Sequence, residues 1–264
     1  MTLKTDFASL EASKEVLRAL EAMGITTPTQ IQVETIPPMM AGRDIIGIAP
    51  TGTGKTIAFG IPMLEYISLT ETRVQELVIA PTRELAMQIV QELTDLARFI
   101  PQVRIAALYG GQPMARQIAQ LKRRPQIVVA TPGRLLDMQN RGHVRLDQVH
   151  TMVIDEADEM LKMGFVKDVT KIIESVPPGR QLVMFSATTN RDVMTISWKY
   201  QNEPVEITVE ATRENRPRIT QYTIAVPRED KLAALQYLLD ADEFDRVMVF
   251  VNTKVFVERV ARSL

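Results

Sequence analysis

Short apolar runs alternate with helical patterns along most of this chain. The runs occupy residues 44–49, 77–80, 104–109, 127–130, 152–154, 182–185 and 205–209. Most are apolar at consecutive positions, as expected of strands covered on both faces of a parallel sheet. Amphipathic stretches lie between them. In residues 83–100, Leu85, Ile89, Leu93, Leu96 and Ile100 share one face, and Thr82 is suited to cap the start. The pattern predicts an α/β fold with a mainly parallel open sheet and helices on both faces. In such sheets ligands sit beyond the carboxyl ends of the strands. Polar or glycine-rich turns directly follow five runs: Pro81-Thr82-Arg83, Gly110-Gly111-Gln112, Thr131-Pro132-Gly133-Arg134, Asp155-Glu156 and Ser186-Ala187-Thr188. Polar chemistry is therefore expected along one sheet edge.

The pattern changes after Val209. Residues 1–209 read as one domain and the polar stretch 210–218 as a linker. A second unit spans 219–264, with strands expected at 219–226 and 247–251 and helices at 229–239 and 254–264. About 45 residues is small for an independent core, so this unit reads as the incomplete start of a second domain. The run Val247-Met248-Val249-Phe250-Val251 calls for cover. Two chains covering each other there would dimerise.

Composition narrows the picture modestly. The 264 residues are 45% hydrophobic and 24% charged, which is ordinary for a globular protein. The chain has no cysteine, which excludes disulfides and thiolate metal sites and fits a reducing cytoplasm. No apolar run approaches membrane-spanning length. A net charge of -1 gives no global attraction for nucleic acid, so such binding must come from local clusters. His143 and His150 are isolated and read as solvated or capping residues. Arg116, Lys122, Arg123 and Arg124 surround one expected helix and read as a solvated face, with grazing contact to nucleic acid as the alternative.

The candidate chemistry begins at Ala49-Pro50-Thr51-Gly52-Thr53-Gly54-Lys55-Thr56, between an apolar run and a helix-compatible one. Strand, glycine-rich turn and helix are the context of a phosphate-binding loop. Gly52 and Gly54 let backbone N–H groups converge on a phosphate, and the following helix start adds partial positive charge. Thr51 and Thr53 belong to the same cradle. Lys55 can reach the outer phosphates and Thr56 can ligate Mg2+. Ala49 stands where the motif usually begins with glycine. Downstream, an apolar run ends in Asp155-Glu156-Ala157-Asp158. A strand-tip carboxylate such as Asp155 can hold Mg2+, often through water. Glu156 is suited to orient or deprotonate an attacking water, with Lys55 stabilising charge on the transferring phosphoryl group.

These motifs closely resemble those of the DEAD-box ATP-dependent RNA helicases, in particular bacterial ones. Phe7 upstream of Thr27-Pro28-Thr29-Gln30-Ile31-Gln32 resembles the Q motif, here spanning 7–32. The phosphate loop, Pro81-Thr82-Arg83-Glu84-Leu85-Ala86, Gly110-Gly111, Thr131-Pro132-Gly133-Arg134, Asp155-Glu156-Ala157-Asp158 and Ser186-Ala187-Thr188 follow in the family's order. Val249-Phe250-Val251-Asn252-Thr253 resembles a motif of the family's second domain. The resemblance implies a RecA-like ATP-binding domain followed by part of a second one. It implies that Gln32 reads adenine, that Phe7 packs near it and that Ile25 covers the base. It also implies that Pro81, Thr82, Arg83, Gly110, Gly111, Thr131, Pro132, Gly133 and Arg134 line an RNA backbone track without base readout. Asp158, Ser186 and Thr188 would couple nucleotide state to RNA.

Three departures accompany the resemblance. Ile25 stands where the family usually has an aromatic residue, which predicts weaker nucleotide affinity. Gln30 replaces a usual proline, and the second-domain arginine motif that reaches the γ-phosphate does not occur before Leu264. The expectation is an RNA-stimulated ATPase with impaired turnover. A DNA-directed motor and a non-catalytic nucleotide- and RNA-binding fragment are the competing readings.

Overall fold

The computed structural model describes residues 6–210, 219–241 and 244–264. The expected linker falls largely on 211–218, outside the described residues. Two compact units are present, Met1–Glu214 and Asn215–Leu264.

The first unit is built on seven strands: β1 (Ile45–Ile48), β2 (Glu76–Ile79), β3 (Ile105–Leu108), β4 (Ile127–Ala130), β5 (Thr151–Ile154), β6 (Gln181–Ser186) and β7 (Val205–Thr208). Its helices are α1 (Lys14–Ala22), α2 (Gln30–Met40), α3 (Lys55–Tyr66), α4 (Arg83–Leu96), α5 (Met114–Leu121), α6 (Pro132–Asn140), α7 (Ala157–Lys162), α8 (Val166–Ser175) and α9 (Arg191–Tyr200). The second unit holds α10 (Lys231–Ala241) and α11 (Lys254–Ser263).

Strand order is β3-β4-β2-β5-β6-β1-β7, and every pairing is parallel. The seven-stranded parallel sheet is the α/β fold expected from the run pattern. Alternate side chains feed two cores. Val78, Val153 and Val183 enter one, while Leu77, Met152 and Leu182 enter the other. Phe59 of α3 meets Phe185 of β6 with ring centroids 5.9 Å apart. Burying each such ring contributes about 1.5–3 kcal/mol. Phe185 also explains Gly47, since a β-carbon there would lie 2.6 Å from the ring.

Helix starts follow local chemistry. Thr82 accepts from the Leu85 amide at 3.2 Å and Asn190 from the Val193 amide at 2.9 Å, satisfying otherwise orphaned donors. Helix α4 ends at Leu96, short of the expected Ile100. Pro101 disfavours helical geometry at the residue before it, and the segment closes in a turn with Ile100 N donating to Ala97 O at 2.8 Å.

The second unit corrects the sequence reading. Residues 219–226 and 247–251 are not strands, although helices form near both expected positions. A helix satisfies its backbone internally, whereas a strand requires a neighbour to hydrogen-bond, and these runs have none among the described residues.

Candidate active site

The phosphate-type loop leaves β1 beside β6, where the Ala49 amide donates to Ser186 O at 3.0 Å. The Thr53 hydroxyl folds back onto Pro50 O at 2.9 Å. Gly54 caps α3 with φ +90°, a conformation that side chains resist. Thr51 and Gly52 are exposed, while Lys55 and Thr56 are buried in the first turn of α3. The Lys55 ammonium lies 3.7 Å from Asp155 Oδ1 and 3.5 Å from Ala49 O.

The upstream segment is fastened to this loop. Thr29 Oγ1 donates to Thr53 O at 2.8 Å, and Gln32 Nε2 donates to Gly54 O at 3.1 Å. Gln32 Oε1 accepts from the Thr29 amide at 2.8 Å, closing a capping box on α2. The buried Gln32 side chain keeps one further amide hydrogen and one further lone pair for another partner. Ile25 is half-buried against the core. Phe7 is fully within the core, so it supports this segment from beneath.

Asp155 follows β5 and is buried. Burial raises its carboxyl above the ordinary value, opposed by the Lys55 charge and by a 3.0 Å hydrogen bond from the Glu156 amide. Glu156 has left-handed backbone with φ +51° at the start of α7. Burial and then the Asp155 charge raise its carboxyl as well. Asp158, one turn further, accepts from Thr188 Oγ1 at 2.9 Å and from the Ala187 amide at 3.4 Å. Burial would raise it, but these bonds and the Ser186 hydroxyl together hold it below the ordinary carboxylate value. The Ser186 hydroxyl itself donates to Thr188 O at 2.7 Å.

A second group of turns lies at the tips of β2, β3 and β4. Arg83 is exposed, with its guanidinium carbon 5.2 Å from the Tyr109 ring centroid. Arg134 Nη1 donates to Gln112 O at 3.3 Å, joining α6 to the turn containing Gly110 and Gly111. Thr82 is committed to capping α4, whereas the Thr131 hydroxyl makes no cap bond. Gly110, Gly111 and Gly133 are exposed. Pro81 and Pro132 are buried, and Pro132 fills the first position of α6.

The sheet order divides these motifs. Tips of β1, β5 and β6 carry the phosphate loop and Asp155–Ser186 group, while tips of β2, β3 and β4 carry the arginine and glycine turns. Three supporting roles are not legible in the sequence, one of them for Thr29 of the upstream motif. Thr29 tethers the loop, Tyr109 backs Arg83, and buried Gln117 donates to Tyr109 O at 2.8 Å and Gln112 Oε1 at 3.1 Å. The capping-box spacing of Thr29 and Gln32 was the only available signal for them.

Among the described residues, no group of three or more histidine or acidic side chains stands ready to hold a metal. Thr56 and Asp155 offer hard oxygen donors beside the loop, a set that fits an ion sharing its coordination with water and phosphate. No helix among the described residues is long and apolar enough to cross a membrane.

Comparison with known proteins gives consistent results. The model of the DEAD/DEAH box helicase family matches residues 29–196. The DEAD-box ATP-dependent RNA helicase CshA of Geobacillus kaustophilus is 45% identical over 260 residues, covering 98% of this chain and 56% of that protein. The ATP-dependent RNA helicase DeaD of Mycobacterium tuberculosis is 43% identical over 258 residues, covering 98% of this chain and 46% of its own length. The chain thus spans about half the length of the curated relatives it matches. A crystal structure of a DEAD box protein from the hyperthermophile Methanococcus jannaschii superposes with TM-score 0.74 at 35% identity, covering 97% of this chain and 69% of that one. The family match, the identity over nearly the whole chain and the shared fold agree: this chain belongs to the DEAD/DEAH box helicase family.

Proposed function

We propose that this chain is the nucleotide-binding portion of a cytoplasmic ATP-dependent RNA helicase that remodels RNA duplexes. The observation that carries the reading is the buried Lys55–Asp155 pair, 3.7 Å apart at the mouth of the glycine-rich loop. In this reading residues 1–209 form the ATP-binding domain, 210–218 a linker and 219–264 the beginning of a second helicase domain.

Thr51, Gly52, Thr53 and Gly54 cradle the phosphates with backbone amides, and Lys55 neutralises the outer ones. Gln32 meets the adenine edge with its remaining donor and acceptor, while Ile25 covers the base and Phe7 braces the segment. Thr56 and Asp155 would hold Mg2+, which supplies charge neutralisation on the phosphates when bound. Glu156 takes a proton from water as the water oxygen attacks the γ-phosphorus, and the bond to the ADP oxygen breaks. Its raised pKa strengthens it as a base near neutral pH. Arg83, Arg134, Thr131 and the amides of Gly110, Gly111 and Gly133 hold RNA phosphates, the Thr82 hydroxyl donates its hydrogen to them while its oxygen caps α4, and Pro81 and Pro132 shape those turns. Asp158, Ser186 and Thr188 link that track to the nucleotide.

In this reading turnover by these 264 residues alone is slow. An arginine finger from elsewhere in such proteins contributes about 10³–10⁵ in rate. Phosphate release should be measured with RNA duplex, DNA duplex or no nucleic acid. Weak release raised by RNA alone supports the reading. Equal stimulation by DNA, or ATP binding without any hydrolysis, refutes it in favour of a DNA motor or a non-catalytic binder.

A further inference from the structure

The amino-terminal edge of the sheet, opposite the site described above, carries a groove of about 440 Å³. Its floor is apolar: Ala97, Ile100, Val103, Ile105 and Pro125, drawn from the end of α4, the approach to β3 and the approach to β4. Three exposed arginines, Arg98, Arg104 and Arg123, line it with Thr94 and Gln120, and no acidic side chain does. None of the three arginines pairs with a carboxylate among the described residues. Arg104 Nε bonds only the Arg124 carbonyl, at 3.2 Å.

The neighbouring groove makes the contrast. It shares Pro125 and is lined by Arg73, Arg124 and Arg145, but Asp147 stands among them. Asp147 accepts from Arg145 at 2.9 Å and lies 3.9 Å from Arg73. Asp147 answers part of that charge from within the chain, whereas no carboxylate among the described residues answers the charge of the first groove.

Three guanidinium groups without a carboxylate partner, above an aliphatic floor, are complementary to a ligand that is both acidic and apolar. We propose that this groove docks an acidic segment of a partner protein that carries leucine-like side chains between its carboxylates. The arginines fork onto carboxylates, and the floor takes the apolar residues. RNA backbone would answer the charge but leave the aliphatic floor against water. The groove lies at the opposite end of the strands from Arg83 and Arg134, so a segment there does not block the RNA track.

A fluorescein-labelled peptide of alternating glutamate and leucine tests this by anisotropy at low and moderate salt. The intact chain should bind it saturably, and a glutamate-only peptide of equal length should bind about tenfold more weakly. Arg98→Glu with Arg123→Glu should weaken binding by about tenfold or more, since charge reversal adds repulsion. Among the described residues neither arginine forms an ion pair, and Arg98 only lies over the Phe99 ring, its guanidinium carbon 5.8 Å from the centroid, so this variant should melt close to the parent. Arg73→Glu in the neighbouring groove serves as the control and should leave peptide binding intact. Equal binding by the double variant, absence of binding, or full displacement of the peptide by single-stranded RNA would overturn the proposal, the last by making the groove a nucleic-acid surface.

Discussion

Gln32 and Gly54 are joined directly, the side-chain amide of one donating to the main-chain carbonyl of the other at 3.1 Å. The oxygen of the Gln32 side-chain amide, Oε1, accepts from the Thr29 main-chain amide at 2.8 Å. A residue implied to read the base is therefore also a brace between α2 and the glycine-rich loop.

That brace makes two substitutions informative. Gln32→Glu keeps the acceptor for Thr29 but sets a buried carboxylate oxygen against the Gly54 carbonyl, so nucleotide affinity should fall and stability should drop by about 1–3 kcal/mol. Gly54→Ala adds a β-carbon against the Gln32 amide at a backbone with φ +90°. It should cost about 1–3 kcal/mol in addition to weakening nucleotide binding. Chemical denaturation and nucleotide titration of both variants separate the effects.

Asp158 and Thr188 make a second testable pair, 2.9 Å apart. Thr188→Ala removes the hydroxyl that donates to the carboxylate. Nucleotide affinity should be unchanged, and stimulation of ATP hydrolysis by RNA should fall about tenfold, as expected for loss of roughly 1.4 kcal/mol of coupling. Equal loss of basal and stimulated rates would assign the pair to the phosphate site instead.

The arginine turns predict a salt signature. Arg83→Ala and Arg134→Ala should each weaken RNA binding similarly across sequences and lower the logarithmic salt slope by about 1. Binding of several unrelated oligonucleotides at graded salt measures both properties. An effect confined to one sequence would indicate base readout.

Glu76 offers a pH test remote from the site. It is fully buried, with the His150 ring nitrogen 3.1 Å away. Burial lifts its carboxyl well above the ordinary value, only partly offset by the Thr151 hydroxyl. The folded state thus holds this proton more tightly than the unfolded chain. Its stabilising contribution is complete below about pH 4.3 and is lost as pH rises through the folded value. His150 is displaced the opposite way by burial, opposed by the Glu71 charge, so its contribution is lost as pH falls below about 6.5. Glu76→Gln should gain stability relative to the parent as pH rises above about 4.3, measured by denaturant midpoints across pH. Parallel profiles would contradict the buried titration.

Much of this was readable from residue pattern. Apolar runs disclosed the seven strands among the described residues of the first unit, most plainly the central ones, because a doubly covered parallel strand has few polar positions to blur it. Strand order was not readable. Lys55 and Asp155 are 100 residues apart and meet because the strand order sets β1 and β5 on either side of β6, a gap that the long Lys55 side chain spans. Nor could the sequence reveal that Gln32 and Thr29 spend their hydrogen bonds on the loop. The runs at 219–226 and 247–251 misled for the complementary reason: apolar pattern marks a strand only where a neighbour completes its ladder.

Lys55 acting at a phosphate site is the requirement most directly open to measurement. Equilibrium titration of a fluorescent ATP analogue, with and without Mg2+, should show saturable binding by the parent chain. Lys55→Ala should weaken it by about tenfold or more, since one charge-assisted contact to phosphate contributes about 1.5–3 kcal/mol. Equal affinity in the two proteins would contradict the assignment of residues 49–56 as the nucleotide cradle.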